Sequence, residues 1–454
     1  MEQHAVTQHD HRDGLSDLTA MLSQAQDAPQ SAPPAVSEET RRRRRRRRRI
    51  GALVSVVVVL ALVATYVSLT LTAPVGAAAD SIDRPQVTVP AATTVVLPST
   101  GEAAVSFSGA DNYLGASADS ALASSGGDGA LPMASISKLI TALVVLNSRP
   151  LGASGTGPTL TFDKADHDLY DKYYLLNATI AAMPTGSSMS EHDALETMLV
   201  VSACNYAEAV ADWAFGSNAG FLAATNHWLK ANGLTGTTLV EPTGIDARNT
   251  STPSDLIAIG KLAMANPAIA GIVAKTSLDI PALAGMPNTN DLLGTDGVDG
   301  IKTGTLGGSD LLFSATVTPG TPNPLKIIGV VLGGPDRTSV DDDVRALISS
   351  ITSGFHSEHL STKGEPVGTY STPWGSEATM VLDRDASVLT WSNTPITSTM
   401  KATTLKSGAS GEKVGSVTWV AGKSTVTVPI VLDGRIHGPS TWWRLTHPLQ
   451  LLAR

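Results

Sequence analysis

The sequence predicts an α+β body followed by a small all-β C-terminal domain, with one apolar helix ahead of both. Three observations support this. Strand-like runs bracket the body, at Ala103–Ser108 near its start and at Val298–Thr303, Leu311–Thr318 and Leu325–Leu332 near its end. Helical spacing fills the middle, in Leu139–Leu146, Glu191–Phe215, Leu222–Asn232 and Ser254–Ala265. Beyond Gly354–Pro366, only short β-rich runs alternate with turns.

In chain order, residues 1–40 are polar and rich in Gln, Asp, Ser, Pro and Ala. They read as disordered, and with the nine arginines Arg41–Arg49 they form a cytoplasmic tail over residues 1–49. Ile50–Leu71 runs for 22 residues without a charge, long enough to span a bilayer as a transmembrane helix. Arginines before the span predict that this end stays in the cytoplasm, so the body lies outside a single-pass cell-membrane protein. A cleaved signal peptide fits poorly, because some 40 residues precede the arginines and the apolar run exceeds the usual 7–15 or so. Ala77-Ala78-Ala79 leaves late cleavage open. Residues 72–98 read as a spacer rich in Ala, Pro, Thr and Val.

The body occupies residues 99–353, with Asn112–Ala116 as a hairpin partner for the first strand and Asp341–Thr352 as a closing helix. Residues 150–190 are mixed and polar. The β domain covers 367–446, with strands at Thr379–Leu382, Ile396–Thr403, Ser416–Val420 and Thr425–Leu432, ending near Trp443.

The 454 residues carry a net charge of −9, and without Arg41–Arg49 the balance is 23 basic to 41 acidic, or −18. Such a body has no footprint for nucleic acid. A single cysteine, Cys204, excludes an internal disulfide, so an exported body must rest on a large core. The 42% of hydrophobic residues permits one. There is no paired Cys/His spacing, and His167 and His192 stand alone, so neither a metal nor a cofactor is expected.

Ser135 and Lys138 head the apolar run Leu139–Leu146. Three residues apart on a helix, they share a face. A serine hydroxyl needs a base to become a nucleophile. A lysine serves as that base when burial or a neighbouring cation lowers its pKa. Ile136, Leu139, Ile140, Leu143, Val144 and Leu146 cover nearly the whole helix circumference, which predicts burial. Pro132 suits a helix start and would place Ser135 at the N-terminus, where the dipole favours developing negative charge. Alone, Ser-x-x-Lys also fits a capping serine followed by a surface lysine.

Two later stretches change that. Ser202-Ala203-Cys204-Asn205-Tyr206 lies within the second helical segment, and Gly300-Ile301-Lys302-Thr303-Gly304-Thr305 on the first late strand. The order Ser-x-x-Lys, serine–amide, Lys-Thr-Gly is the set used by penicillin-recognising serine enzymes. With it, Met133–Ala142, Glu241-Pro242-Thr243-Gly244-Ile245-Asp246 and Asp299–Thr305 resemble the D-alanyl-D-alanine carboxypeptidases of the low-molecular-mass penicillin-binding proteins. The resemblance covers about Ala103 to Ile351, with 67 residues from Ser135 to Ser202 and 100 from there to Lys302. The second domain resembles that family's β-rich module.

The resemblance implies a serine β-lactamase/penicillin-binding-protein-like domain, an antiparallel sheet with a helical subdomain. It implies removal of the last D-alanine from a peptidoglycan pentapeptide through an acyl-enzyme, covalent binding of β-lactams, and no metal. Ser135 is the expected nucleophile, Lys138 its base and Ser202 a proton relay. Lys302 is expected to hold Lys138 neutral and to bind substrate. Thr303 and Thr305 would bind the terminal carboxylate, and Gly304 would let the peptide lie against the strand. The N–H groups of Ser135 and Thr305 would form the oxyanion hole.

The family's middle motif is Ser-x-Asn, and here an ungapped reading puts Cys204 at the asparagine. Asn205, one residue later, is the substrate-binding amide if the helix distorts locally. Cys204 itself reads as a small buried hydrophobe. Two rivals stand beside this reading: a catalytically impaired relative that binds peptidoglycan, and a serine β-lactamase, for which no Glu-x-x-Leu-Asn loop is present.

Overall fold

The computed structural model describes residues 38–109, 113, 121–152, 155–321 and 323–452. The chain divides into two units, Met1–Gly76 with Pro439–Arg454, and Ala77–Gly438. The first is built on helix α1 (Glu38–Thr72). Among the described residues it is the one unbroken helix long and apolar enough to cross a membrane, and its most apolar 18 residues have a mean hydropathy of 2.6. The reading of residues 1–49 as disordered is corrected for Glu38–Arg49, which continue this helix. Glu38 and Glu39 sit in its first turn, where they complement the dipole, and Arg43 reaches Glu39 at 3.4 Å. Residues 1–37 lie outside the described residues.

In the second unit, residues 77–98 of the expected 72–98 spacer prove to be more than a spacer. β1 (Ala79–Ile82) pairs antiparallel with a strand of the C-terminal domain, and Val95 and Leu97 pack on the core of the body. The body opens with β2 (Glu102–Ser108) and β3 (Ala121–Ser125), an antiparallel pair. The expected partner Asn112–Ala116 lies, apart from Tyr113, outside the described residues. β4 (Leu131–Pro132) leads through a 3-10 turn (Ala134–Ile136) into α2 (Ser137–Ser148). β5 (Thr159–Thr161), α3 (Lys164–Leu175) and β6 (Ser188–Ser190) follow. The expected single helix Glu191–Phe215 is two, α4 (Glu191–Val200) and α5 (Cys204–Phe215). They are separated by Ser202 at φ +67°, a left-handed conformation no helix continues through. α6 (Asn218–Ala231), β7 (Thr250–Ser251), α7 (Pro253–Ala265) and α8 (Pro267–Val273) complete the helical middle. Thr252 caps α7 by accepting from Asp255 N, with Pro253 at the first helical position.

β8 (Val298–Thr305), β9 (Ser309–Val317) and β10 (Leu325–Gly334) close a five-stranded antiparallel sheet in the order β3-β2-β10-β9-β8. α9 (Arg337–Ser353) then returns across it. The strands are apolar on both faces because both are covered. Ile301, Leu312, Ile328 and Val330 belong to the core shared with the helical middle. Phe107, Phe313, Ile327 and Val331 meet Val344, Leu347, Ile348 and Ile351 of α9 on the other face. β8 is an edge strand, open along one side.

The C-terminal domain begins earlier than expected. β11 (Phe355–Ser361) lies inside the presumed boundary and pairs with β14 (Ala386–Trp391). β12 (Pro366–Ser371), β13 (Glu377–Leu382), β15 (Ile396–Ala402), β16 (Lys413–Ala421) and β17 (Ser424–Gly434) form, with β1, a six-stranded sheet in the order β1-β12-β13-β17-β16-β15. Val367, Tyr370, Met380, Val417, Trp419, Val428 and Ile430 make its core. Trp443 belongs to a short helix beyond that sheet.

Candidate active site

Ser135 stands in the 3-10 turn one step before α2, and Ala134 ahead of it holds φ +44°. Strain of this kind at a non-glycine residue persists only where its surroundings over-determine it. Two glycines let those surroundings close in. A Cβ on Gly244 would fall 1.8 Å from the Ala134 oxygen. One on Gly304 would lie 3.0 Å from the Met133 oxygen and 3.1 Å from the Ala134 Cβ. The end of β8 therefore lies against the turn that carries Ser135. Gly304 serves that packing as well as the strand edge.

Lys138 is fully buried, as the apolar circumference of α2 predicts. Its Nζ lies 2.9 Å from Ser135 Oγ, 2.7 Å from the Thr243 carbonyl oxygen and 3.3 Å from Cys204 Sγ. A carbonyl can only accept. One N–H of Lys138 is thus committed to Thr243, which orients the amine toward Ser135.

Glu241 fixes that carbonyl. Its carboxylate accepts from Thr243 N at 2.6 Å, Gly244 N at 2.7 Å and Asn249 Nδ2 at 2.9 Å. Asn249 in turn donates to Ser137 Oγ at 3.1 Å, tying the loop to the first turn of α2. Sequence reasoning places Glu241 in a recognisable segment but misses this role, because the contact to Lys138 is made by a backbone oxygen.

Lys302, on β8, is also buried and meets Thr289 Oγ1 at 3.3 Å and the Thr303 oxygen at 3.2 Å. Thr303 Oγ1 donates to Thr289 Oγ1 at 2.6 Å. Burial, then the neighbouring Lys138 and Arg337, hold the Lys302 ammonium well below the ordinary lysine range. Arg337, the first residue of α9, is a second group that sequence reasoning missed. Its guanidinium donates to the Thr289 oxygen and lies 3.7 Å from Asp291.

The middle motif occupies the break between α4 and α5. Cys204 opens α5 and turns its sulfur toward Lys138. Asn205, expected to bind substrate, does not join the site. Its Oδ1 accepts from Ala181 N at 3.2 Å and its Nδ2 donates to Ala181 O at 2.8 Å. The reason is geometric. The helix starts cleanly at Cys204 without local distortion, so the next residue projects to another side.

His192 is less isolated than its sequence context implies. It lies with Asp193 and Glu196 in a group whose donor atoms fall within 4.8 Å of one another. Lys275 Nζ already sits 2.8 Å from Glu196 Oε2 and supplies the positive charge there. His167 contacts the Met183 oxygen and stacks on Tyr170.

A five-stranded antiparallel sheet, a helical middle, and a serine and lysine in hydrogen-bond contact beside a Lys-Thr-Gly edge strand together define the penicillin-binding-protein-like class of serine enzymes. Residues 114–336 match the family profile of D-alanyl-D-alanine carboxypeptidase, the peptidase S11 family. This segment, which holds all three motifs, belongs to that family of low-molecular-mass penicillin-binding proteins. The chain is 28% identical over 255 residues to D-alanyl-D-alanine carboxypeptidase DacC of Escherichia coli, across 55% of this chain and 62% of the relative. It thus spans under two thirds of that protein's length. Its fold matches penicillin-binding protein 5 of Haemophilus influenzae at a TM-score of 0.50 and 18% identity, covering 79% of this chain and 100% of the other. It also matches the carboxypeptidase DacD of Francisella tularensis at 0.51 and 17%, covering 78% and 97%. At these identities the structural likeness speaks for the fold alone.

Proposed function

We propose that this chain is a serine-type D-Ala-D-Ala carboxypeptidase that removes the terminal D-alanine from peptidoglycan stem peptides. The observation that carries the proposal is the 2.9 Å contact between Ser135 Oγ and Nζ of the fully buried Lys138. Ser135 Oγ attacks the carbonyl carbon of the penultimate D-alanine and passes its proton to Lys138. The N–H groups of Ser135 and Thr305 hold the developing oxyanion. Ser202 relays a proton to the amide nitrogen, the C–N bond breaks, and D-alanine leaves. Water then attacks the ester, giving its proton to Lys138. The ester bond breaks, and the peptide departs as a carboxylate with Ser135 restored. Lys302, Thr303 and Thr305 bind the terminal carboxylate while the peptide lies along the open edge of β8. A β-lactam follows the first half and stays as the acyl-enzyme.

A relative that binds without efficient turnover is the second reading, favoured by a thiol standing where the family has an amide. A β-lactamase reading lacks support, because the Glu241 carboxylate is occupied by loop N–H groups rather than free to activate water. In the proposed topology α1 is a single-pass anchor with its arginine end in the cytoplasm.

Intact-protein mass spectrometry with penicillin, alongside D-alanine release from a pentapeptide, tests the proposal. The expected result is one adduct on wild type, none on Ser135→Ala, and D-alanine release that depends on Ser135. An adduct without release supports the second reading. An adduct that survives Ser135→Ala overturns the nucleophile.

A further inference from the structure

Asp310 carries a buried carboxyl that the proposed mechanism does not use. It lies on β9 directly opposite Gly304 of β8 and is 7% exposed. Side chains two apart on a strand share a face. Asp310 therefore lies on the face of Leu312, which belongs to the core of the helical middle. Asp310 Oδ1 accepts from Gly333 N, near the end of β10, at 2.8 Å. Asp310 Oδ2 turns toward Gly304. A Cβ on that glycine would lie 2.9 Å from Oδ2, 3.0 Å from the Met133 oxygen and 3.1 Å from the Ala134 Cβ. The Met133 oxygen accepts from Ile136 N at 3.0 Å and so closes the 3-10 turn that carries Ser135. β10, the edge strand β8 and the Ser135 turn thus converge on one carboxyl.

That convergence has an electrostatic side. The two proposed oxyanion donors are the N–H groups of the peptides that follow Ala134 and Gly304, the residues gathered beside Asp310 Oδ2. A negative charge on Asp310 stands behind both donors. It opposes the charge that develops on the substrate oxygen in front of them, and burial strengthens that opposition. Burial also pushes the Asp310 carboxyl up to about 6, against the pull of the Gly333 N–H. Lys302 shares the face of β8 two residues before Gly304, and Lys138 follows Ser135 by one turn. The 3-10 turn itself has no charged side chain. Lys326, the one charged residue of β10, pairs with Asp299 at the far end of the strands. On β2, Glu102 accepts from Gly129 N at 2.9 Å. α7 carries Asp255 and Lys261, and α9, across the sheet, carries Arg337 and Asp341.

We propose that Asp310 is a positioning residue that holds the two halves of the oxyanion hole together and, through its charge, couples acylation of Ser135 to pH. When neutral, the carboxyl ties β10 to β8 and the turn without opposing the oxyanion. When ionised, it keeps the tie and slows the attack. The inference rests on the reading of Ser135 as the acylated nucleophile.

The test is the second-order rate constant for labelling of the full chain, in detergent micelles, by a fluorescent penicillin between pH 5 and pH 8. Titration of Lys138 or Lys302 is common to wild type and variant, so the ratio of their rates isolates Asp310. Asp310→Asn keeps an acceptor for Gly333 N and loses the charge. It should label within about 2-fold of wild type at pH 5 and about 10-fold faster at pH 8. Asp310→Ser, a second neutral acceptor, should follow the same course and serves if the first variant does not fold. A ratio that stays constant across the range, above or below one, makes Asp310 merely structural and overturns the inference while Ser135 stands. A wild type that fails to label, or a label that survives Ser135→Ala, overturns the reading of Ser135 and the inference with it.

Discussion

Cys204 and Asn205 are neighbours in sequence with different surroundings: the first faces Lys138 and the second faces Ala181. The thiol meets Lys138 at 3.3 Å but is a weak donor and a weak acceptor. The amide is spent on both polar groups of Ala181 in the interior. The two positions should therefore respond to different measurements. Cys204→Asn is expected to preserve or raise the single-turnover acylation rate, by restoring a donor and acceptor beside Lys138. Asn205→Ala strands a buried N–H and C=O and should cost about 1–3 kcal/mol of stability, with the acylation rate of the folded enzyme little changed. Acylation kinetics beside thermal denaturation read the pair. If Asn205→Ala slows acylation by about 100-fold, the scale of losing one oxyanion donor, Asn205 reaches the substrate after all. Sequence comparison alone left both positions open, because a one-residue offset on a helix matters only once the start of the helix is known. The αL residue Ser202 sets that start.

Among the elements, α4 begins with an unusual residue. Glu191 has no accessible surface, and among the described residues neither of its carboxylate oxygens has a hydrogen-bond partner. Gly157, at φ +68°, closes over it so tightly that a Cβ would lie 2.5 Å from Glu191 Oε2. Burial pushes its carboxyl up from 4.5 to about 7, against the pull of Arg149. The native state therefore binds the proton more tightly than the unfolded chain does. The stabilising contribution is complete below about pH 4.5 and is lost as the pH rises toward 7. Glu191→Gln removes the cost of the buried charge. It should stabilise the protein at pH 8 by up to about 3 kcal/mol and change little at pH 4. At roughly 2–4 °C per kcal/mol for a domain of this size, calorimetry at the two pH values resolves the difference. An equal effect at both would mean that Glu191 does not titrate in this window. Elements with an apolar stripe or strand alternation were legible in advance, but α3 was not. Tyr173 is its one buried residue, and its start is set by a capping box between Asp163 and Asp166 rather than by periodicity.

At the scale of the whole chain, the antiparallel sheet around a helical middle was legible because both its faces are covered and its strands are strongly apolar. What brings distant residues together was not. Nothing local marks Ala79–Ile82 as a strand of the C-terminal domain, Arg337 as a neighbour of Lys302, or Arg444 as a donor to the carbonyl oxygens of Thr70, Leu71 and Ala73 at the end of α1. Each depends on a meeting between segments far apart in the sequence. The charge pattern around α1 bears on which side of a membrane would hold the body. The nine arginines Arg41–Arg49 precede the uncharged run Ile50–Leu71 within one helix. In the topology we propose, the positive-inside rule keeps that end in the cytoplasm. The alternative orientation would carry nine guanidinium groups across the bilayer, each opposed by the membrane potential by about 2 kcal/mol per 100 mV. It would also separate the catalytic residues from cell-wall peptides. Protease added to intact cells should digest the body while sparing a tag placed before Met1, and lysis should expose the tag. A body protected in intact cells would reverse the orientation and remove the peptidoglycan substrate. A tag lost together with the body would mean that α1 does not cross the membrane.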